Sequence, residues 1–201
     1  MMLTPDWEQK PPSAEDIQQM WRELKIQPLP FQHPALDKLL EHLRATHLNG
    51  GAAFARFQVS EYPVLHWFAS RNRLEDINFF DQFLTVSAVI NALPSLEITN
   101  PLPSPLQLRP DSSAFTFDGE LAKTLVFGGA YEQFKGTAGE AKAIGVQFCD
   151  ALFGDRYDEI QMYICNDAWS SWFADVAWDI TWFGIDKRNN QIWLLCVTDT
   201  D

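Results

Sequence analysis

Apolar positions recur along this chain first at helical spacing and later at strand spacing. Ile17, Met20, Trp21 and Leu24 lie three or four residues apart, which predicts a helix with one buried stripe. Ser13-Ala14-Glu15-Asp16 marks its start, with a serine to cap the first amides and two acids at the positive end of the dipole. Pro28 and Pro30 stop it. A second helix is expected from Pro34, with Leu36, Leu39, Leu40 and Leu43 as its stripe and Asn49-Gly50-Gly51 as its end. Residues 52–68 fit helix and strand equally. Helical periodicity returns over 74–93 through Ile77, Phe80, Phe83, Leu84 and 86–90, and Pro94 closes it.

Pro101, Pro103, Pro105 and Pro110 make residues 99–112 an extended crossing over the surface. Beyond it, 114–117 reads as a short strand and 120–126 as a short helix capped by Asp118 and ended by Gly128-Gly129. Thr137 and Glu140 have capping-box spacing, and Ala141, Ile144, Phe148 and Leu152 share one face behind them. Gly145 within that helix suggests a close helix–sheet contact. Strands are expected over 159–165, 175–186 and 191–198. Asn189-Asn190 suits a two-residue turn between strands at 178–187 and 191–198. That register pairs Asp186 with Trp193, Phe183 with Cys196 and Trp182 with Val197. One hairpin face then carries Trp178, Ile180, Trp182, Trp193, Leu195 and Val197, and the other Phe183, Ile185, Leu194 and Cys196. Both faces are apolar, so each must be covered: a helix layer on one side, and a loop, second sheet or second subunit on the other. The pattern predicts a single α+β domain over 1–201, with residues 1–12 as an arm. Its helical N-terminal half packs on a C-terminal antiparallel sheet ending in a long hairpin, and 99–112 joins the two.

Composition narrows the function classes. With 15 Lys+Arg against 27 Asp+Glu, the net charge is −12, and no basic stripe exists to meet phosphates, so nucleic acid is not an expected partner. A 13% aromatic content excludes a disordered acidic chain. Apolar runs fall short of the ~20 residues a bilayer requires, so no membrane contact is expected. The first residues have neither the basic nor the apolar stretch of a secretory signal. Cys149, Cys165 and Cys196 show no CxxC spacing and read as reduced, buried thiols of a cytoplasmic protein.

Candidate chemistry is sparse. His33, His42, His47 and His66 form no HExxH and have no ligand-spaced partners, so surface or capping roles are expected and no metal or cofactor. Glu140 spoils the glycine-rich stretch 136–139 as an anion site. Cys149, beside Asp150, reads as core rather than nucleophile. In the expected register Asp179 lies beside Thr200 and Asp199 opposite Ile180. With Asp201 they form a carboxylate cluster at the open end of the hairpin, suited to a cation, to acid–base work, or simply to keeping strand ends soluble.

Trp169, Trp172, Trp178, Trp182 and Trp193 crowd the same third of the chain. Residues 169–172 join two strands and cannot all point inward, so an exposed aromatic flanked by Asp167 and Asp175 is expected. These four residues, Trp169, Trp172, Asp167 and Asp175, make a partner-binding face. The reading that follows is a non-enzymatic acidic interaction protein that binds a basic protein partner, of the inhibitor or immunity type that bacteria pair with cationic enzymes. Two alternatives stay open. One is a small enzyme or ligand-binding protein using carboxylates beside the tryptophans; the other is a subunit whose apolar hairpin face builds a homodimer.

Overall fold

A computed structural model describes residues 4–110 and 112–201; the first three residues of the expected arm and residue 111 of the expected crossing lie outside the described residues. The helices are α1 (Ala14–Glu23), α2 (Pro34–Thr46), α3 (Pro63–Ser70), α4 (Phe79–Leu84), α5 (Ser87–Ala92), α6 (Ala114–Phe127) and α7 (Ala138–Phe153). The strands are β1 (Ile26–Pro28), β2 (Gly51–Val59), β3 (Ile160–Cys165), β4 (Ile180–Asp186) and β5 (Gln191–Thr198). The expected reciprocal caps form at both sites. Ser13 Oγ accepts the Asp16 amide at 3.2 Å while Asp16 accepts the Ser13 amide, and Thr137 with Glu140 repeats the arrangement on α7.

All strand pairs are antiparallel, in the order β1-β2-β5-β4-β3, so the class is α+β. The sheet draws β1 and β2 from the otherwise helical first part of the chain. Alternation sends Phe57, Phe183, Leu194 and Cys196 to one face, where they pack with Trp67, Phe80 and Phe83 of α3 and α4. Trp182, Trp193, Leu195 and Val197 go to the other, against Leu39 and Leu43 of α2, Phe117 and Leu121 of α6, and Phe148 of α7. Helices of this same chain therefore cover both faces. The hairpin face needs no second sheet or subunit, which removes the basis of the homodimer alternative. The sheet edges are managed too: β1 is short and contains Pro28, and the proline-rich crossing lies along β3, Arg109 and Ile164 exchanging backbone hydrogen bonds of 2.9 Å.

Four local expectations need correction. The hairpin turn holds four residues, 187–190, and Asp186 rather than Arg188 faces Gln191. A two-residue type I′ turn needs two positive φ angles, and of the two asparagines only Asn190 has one, at 52°. The wider turn is held by Asp186, which accepts the Asn189 amide at 3.1 Å and pairs with Arg156 at 2.5 Å. Residues 114–117 are the first turn of α6, since Ser113 Oγ caps the Phe115 amide and Ala114, Phe117, Leu121 and Leu125 form a buried helical stripe. The pattern over 74–93 is broken at Asn78, whose φ of 51° turns the chain between a 3-10 turn and α4, and again at Thr85-Val86 before α5. Gly145 meets the Asp118 carbonyl of α6, so the close contact is helix to helix.

Cys149, Cys165 and Cys196 are free and buried. Burial pushes the Cys149 and Cys165 thiols up, and that of Cys196 to about 12. Among the described residues no helix is long and apolar enough to cross a membrane.

Candidate functional site

The connection from β3 to β4 is an ordered loop. Asn166 Nδ2 donates to the Asp179 carbonyl at 3.0 Å, closing its base. Asp179 is buried and accepts the Val176 amide at 3.0 Å and the Thr198 hydroxyl. Trp169 is 0% exposed, donates Nε1 to Thr181 Oγ1 at 2.9 Å, and lies 5.2 Å from Phe173. The expectation that Trp169 contributes to an exposed face is therefore corrected: the loop folds back and inserts this indole into the core beside α3–α5. Trp172 is half-buried, edge-on to Phe173 at 5.1 Å. Asp167 and Asp175 are exposed, and Ser171 donates to exposed Glu97 at 2.7 Å, which brings a third carboxylate to the loop.

The three carboxylates expected at the hairpin end do not share a site. Asp179 faces Thr198 rather than Thr200, and its oxygens are occupied as described. Asp199, the residue after Thr198, is also buried; Oδ1 accepts the Asn49 amide at 2.8 Å and Oδ2 the Ala130 amide at 2.7 Å. It ties the α2–β2 connection to the α6–α7 connection. Asp201 is exposed at the chain end. Among the described residues no three His, Cys, Asp or Glu side chains are grouped to hold a metal ion.

A cleft of about 460 Å³ opens on the other face of the sheet, beneath the C-terminal half of α6 and beside the ends of β3 and β4. Glu120 stands in it: Oε2 accepts Trp182 Nε1 and Ser112 Oγ, both at 2.9 Å, and Oε1 accepts Thr116 Oγ1 at 3.2 Å. Lys123, one helical turn further on, and Arg109, held by Asn166 at 2.5 Å, bring positive charge to the same cleft. Phe127, Trp178 and Ile180 supply an apolar wall.

His47 also lines the cleft and is buried, which corrects the expectation of a surface role for it, but it does cap: its backbone N–H donates to the Leu43 carbonyl at 2.9 Å at the end of α2, while His33 caps the start of the same helix by accepting the Ala35 amide at 3.2 Å. The His47 Nδ1 lies 3.0 Å from the Leu43 carbonyl and 2.9 Å from Thr46 Oγ1, contacts that hold the ring against the last turn of α2. Burial pulls its pKa below 6.5.

No family model matches the chain, and no curated protein matches it in sequence. The site must be read from its own residues.

Sequence reasoning missed the cleft. The available signal was a Glu and a Lys three residues apart, Glu120 and Lys123, on a helix whose other residues are mostly apolar. Nothing in the sequence placed that helix face over Trp178 and Trp182.

One pH effect follows from His47. The unfolded chain takes up its proton near pH 6.5, the folded protein only at lower pH. Between those values the unfolded state binds more protons. The His47 contribution is thus fully present above 6.5 and is lost as pH falls through the folded value. Urea unfolding between about pH 8 and pH 5 should show the parent losing more stability than a His47→Asn variant. Parallel losses in the two proteins would contradict this.

Proposed function

We propose that this is a non-catalytic acidic interaction protein, of inhibitor or immunity type, which holds a basic protein partner on the face formed by loop 166–178 and Glu97. What supports the reading is one observation. Exposed Glu97, Asp167 and Asp175 belong to or contact a single loop that also offers half-buried Trp172, and none of the three lies within ion-pair distance of a cation among the described residues. Uncompensated carboxylates beside an aromatic anchor give a cationic partner a steered approach and a point of tight contact. The net charge of −12 adds a favourable long-range field. Three buried free thiols suit residence in the reducing cytoplasm.

The test begins with capture at low and raised salt, and continues with kinetics on the captured partner. Trp172→Ala should weaken binding by at least about 2 kcal/mol, the usual size of an interface hot spot. Asp167→Asn with Asp175→Asn should slow association and flatten its salt dependence. Because Trp172 packs partly on the core, melting is measured on the same variant. A variant that loses stability yet keeps full affinity would assign Trp172 to the fold alone and defeat the proposal.

A further inference from the structure

We infer that the cleft beneath α6 is a binding site for a free aromatic α-amino acid, a zwitterion whose two charges meet Glu120 and Lys123 while its ring covers Phe127 and Trp178. This ligand is distinct from a protein partner on the acidic loop.

Arg109 is already engaged, by Asn166 among others, so the charges open to a ligand are one carboxylate and one ammonium. Their sum is zero, which favours neither a simple anion nor a simple cation. They are nevertheless held apart. Glu120 and Lys123 are three residues apart on α6, yet no ion pair joins them among the described residues. The Glu120 carboxylate is turned onto the sheet, where Trp182 Nε1 reaches it at 2.9 Å. The Lys123 ammonium instead lies 6.0 Å from the centre of the Phe127 ring. Side chains so spaced leave a helix about 5–6 Å apart. A molecule with ammonium and carboxylate on one carbon can reach both, through a charge-assisted hydrogen bond of about 2.8 Å at each end.

Each group has capacity left for that ligand. Ser112, Thr116 and Trp182 donate to Glu120 and fix its carboxylate in place. Two carboxylate oxygens have about four acceptor sites between them, so one remains for an ammonium N–H. The Trp182 indole that holds Glu120 comes from the sheet, so the acceptor is built on a rigid element. Lys123 is exposed and carries three donors that can turn onto a carboxylate. The wall then selects for a ring: Phe127 is 65% exposed and Trp178 half-buried, with Ile180 beside them. A planar ring covering them removes apolar surface from water and gains stacking contact. The space of about 460 Å³ is of the size that holds small molecules.

Calorimetric titration of the full chain with four probes tests the assignment: L-phenylalanine, 3-phenylpropionate without the ammonium, 2-phenylethylamine without the carboxylate, and L-alanine without the ring. Phenylalanine should bind, and each of the other three at least about tenfold more weakly. Two variants then separate the charges. Lys123→Ala should bring phenylalanine down to about the affinity of phenylethylamine, while its advantage over phenylpropionate persists. Glu120→Gln should do the converse, removing the advantage over phenylpropionate and keeping that over phenylethylamine. Each reading is a ratio of two ligands on one protein, which a loss of stability does not mimic. No heat from phenylalanine at millimolar concentration overturns the inference, as does equal binding of any of the other three probes to the parent, or parental ratios in either variant. Both substitutions lie on α6, so neither outcome bears on the acidic loop, whose variants are read against a protein partner.

Discussion

Replacing Trp193 by alanine should cost about 3–5 kcal/mol of stability, as large-to-small changes in a packed core do. The indole is 2% exposed and sits at the centre of the layer between the sheet, α6 and α7. It stacks on Phe117 at 5.4 Å and on Phe54 at 6.4 Å, with Phe153 tilted at 5.9 Å. Its ring passes over Gly184 on the neighbouring strand, where a Cβ would overlap it. Sheet pairing on one side and paired helices on the other limit collapse around the vacancy, which puts the cost towards the upper end of such changes. Trp193→Phe should cost less, because it keeps much of the ring contact and removes a buried Nε1 that has no hydrogen-bond partner. Gly184→Val should disturb the same place from the opposite direction by forcing the indole out of its position. Urea unfolding of the three variants checks the order. A Trp193→Ala protein as stable as the parent would mean that this layer is far looser than its ring contacts imply.

That layer is partly legible in the sequence. Trp182, Trp193, Leu195 and Val197 were assigned to one face and Phe183, Ile185, Leu194 and Cys196 to the other, and the two buried clusters contain those sets. The assignment survived an incorrect register because the slip was by two residues. Side chains alternate with a period of two, so a two-residue slip moves partners along the strand without changing faces. Helix starts with reciprocal caps were equally legible, since the signal is local: Ser13 with Asp16, and Thr137 with Glu140. Non-local competition defeated the rest. Residues 114–117 alternate like a strand, yet joining α6 buries Ala114 and Phe117 in line with Leu121. Residues 52–68 were ambiguous because β2 and α3 follow one another, with only Ser60, Glu61 and Tyr62 between them. What covers the second apolar face is set by tertiary packing alone, in which α3–α5 fold back over it.

The candidate sites divide along the same line. Trp172, Asp167 and Asp175 remain on an exposed loop, whereas Trp169 is drawn inward by a hydrogen bond to Thr181, a residue of the strand after the loop. The cleft assembles Arg109 from the proline-rich crossing, Glu120 and Lys123 from α6, and Trp178 and Trp182 from the chain around β4. No spacing rule links those stretches; only the packing of α6 on the sheet does. Asp179 and Asp199 illustrate the opposite outcome. Acidic residues at strand ends suggest chemistry or solubility, but here both are buried: Asp179 is taken up by Val176 of its own loop and Thr198 of β5, and Asp199 by amides of two distant connections.

Asp199→Ala should therefore be the second costly change, about 1–3 kcal/mol, because it removes the one carboxylate that accepts two partly buried amides from separate connections. Asn49 and Ala130 are 150 and 69 residues away in sequence, so local backbone cannot replace the carboxylate. Gly129 shows how closely the loop is drawn in, since a Cβ there would overlap both Asp199 and the Thr46 carbonyl. The Gly129 amide donates to that carbonyl at 3.0 Å, so the carboxylate and the backbone clamp the same two segments together. Asp199→Asn should fall between parent and alanine, because an amide retains one acceptor oxygen while its NH₂ opposes the other N–H. Hydrogen exchange should locate the loss: in Asp199→Asn the amides of Asn49 and Ala130 should exchange faster, while those of β4 and β5 keep their protection. The clamped segments carry His47 and Gly128 on the wall of the cleft. If both amides stay protected in Asp199→Asn and Asp199→Ala unfolds at the parent's urea midpoint, another acceptor has taken over and the clamp is not where this carboxylate acts.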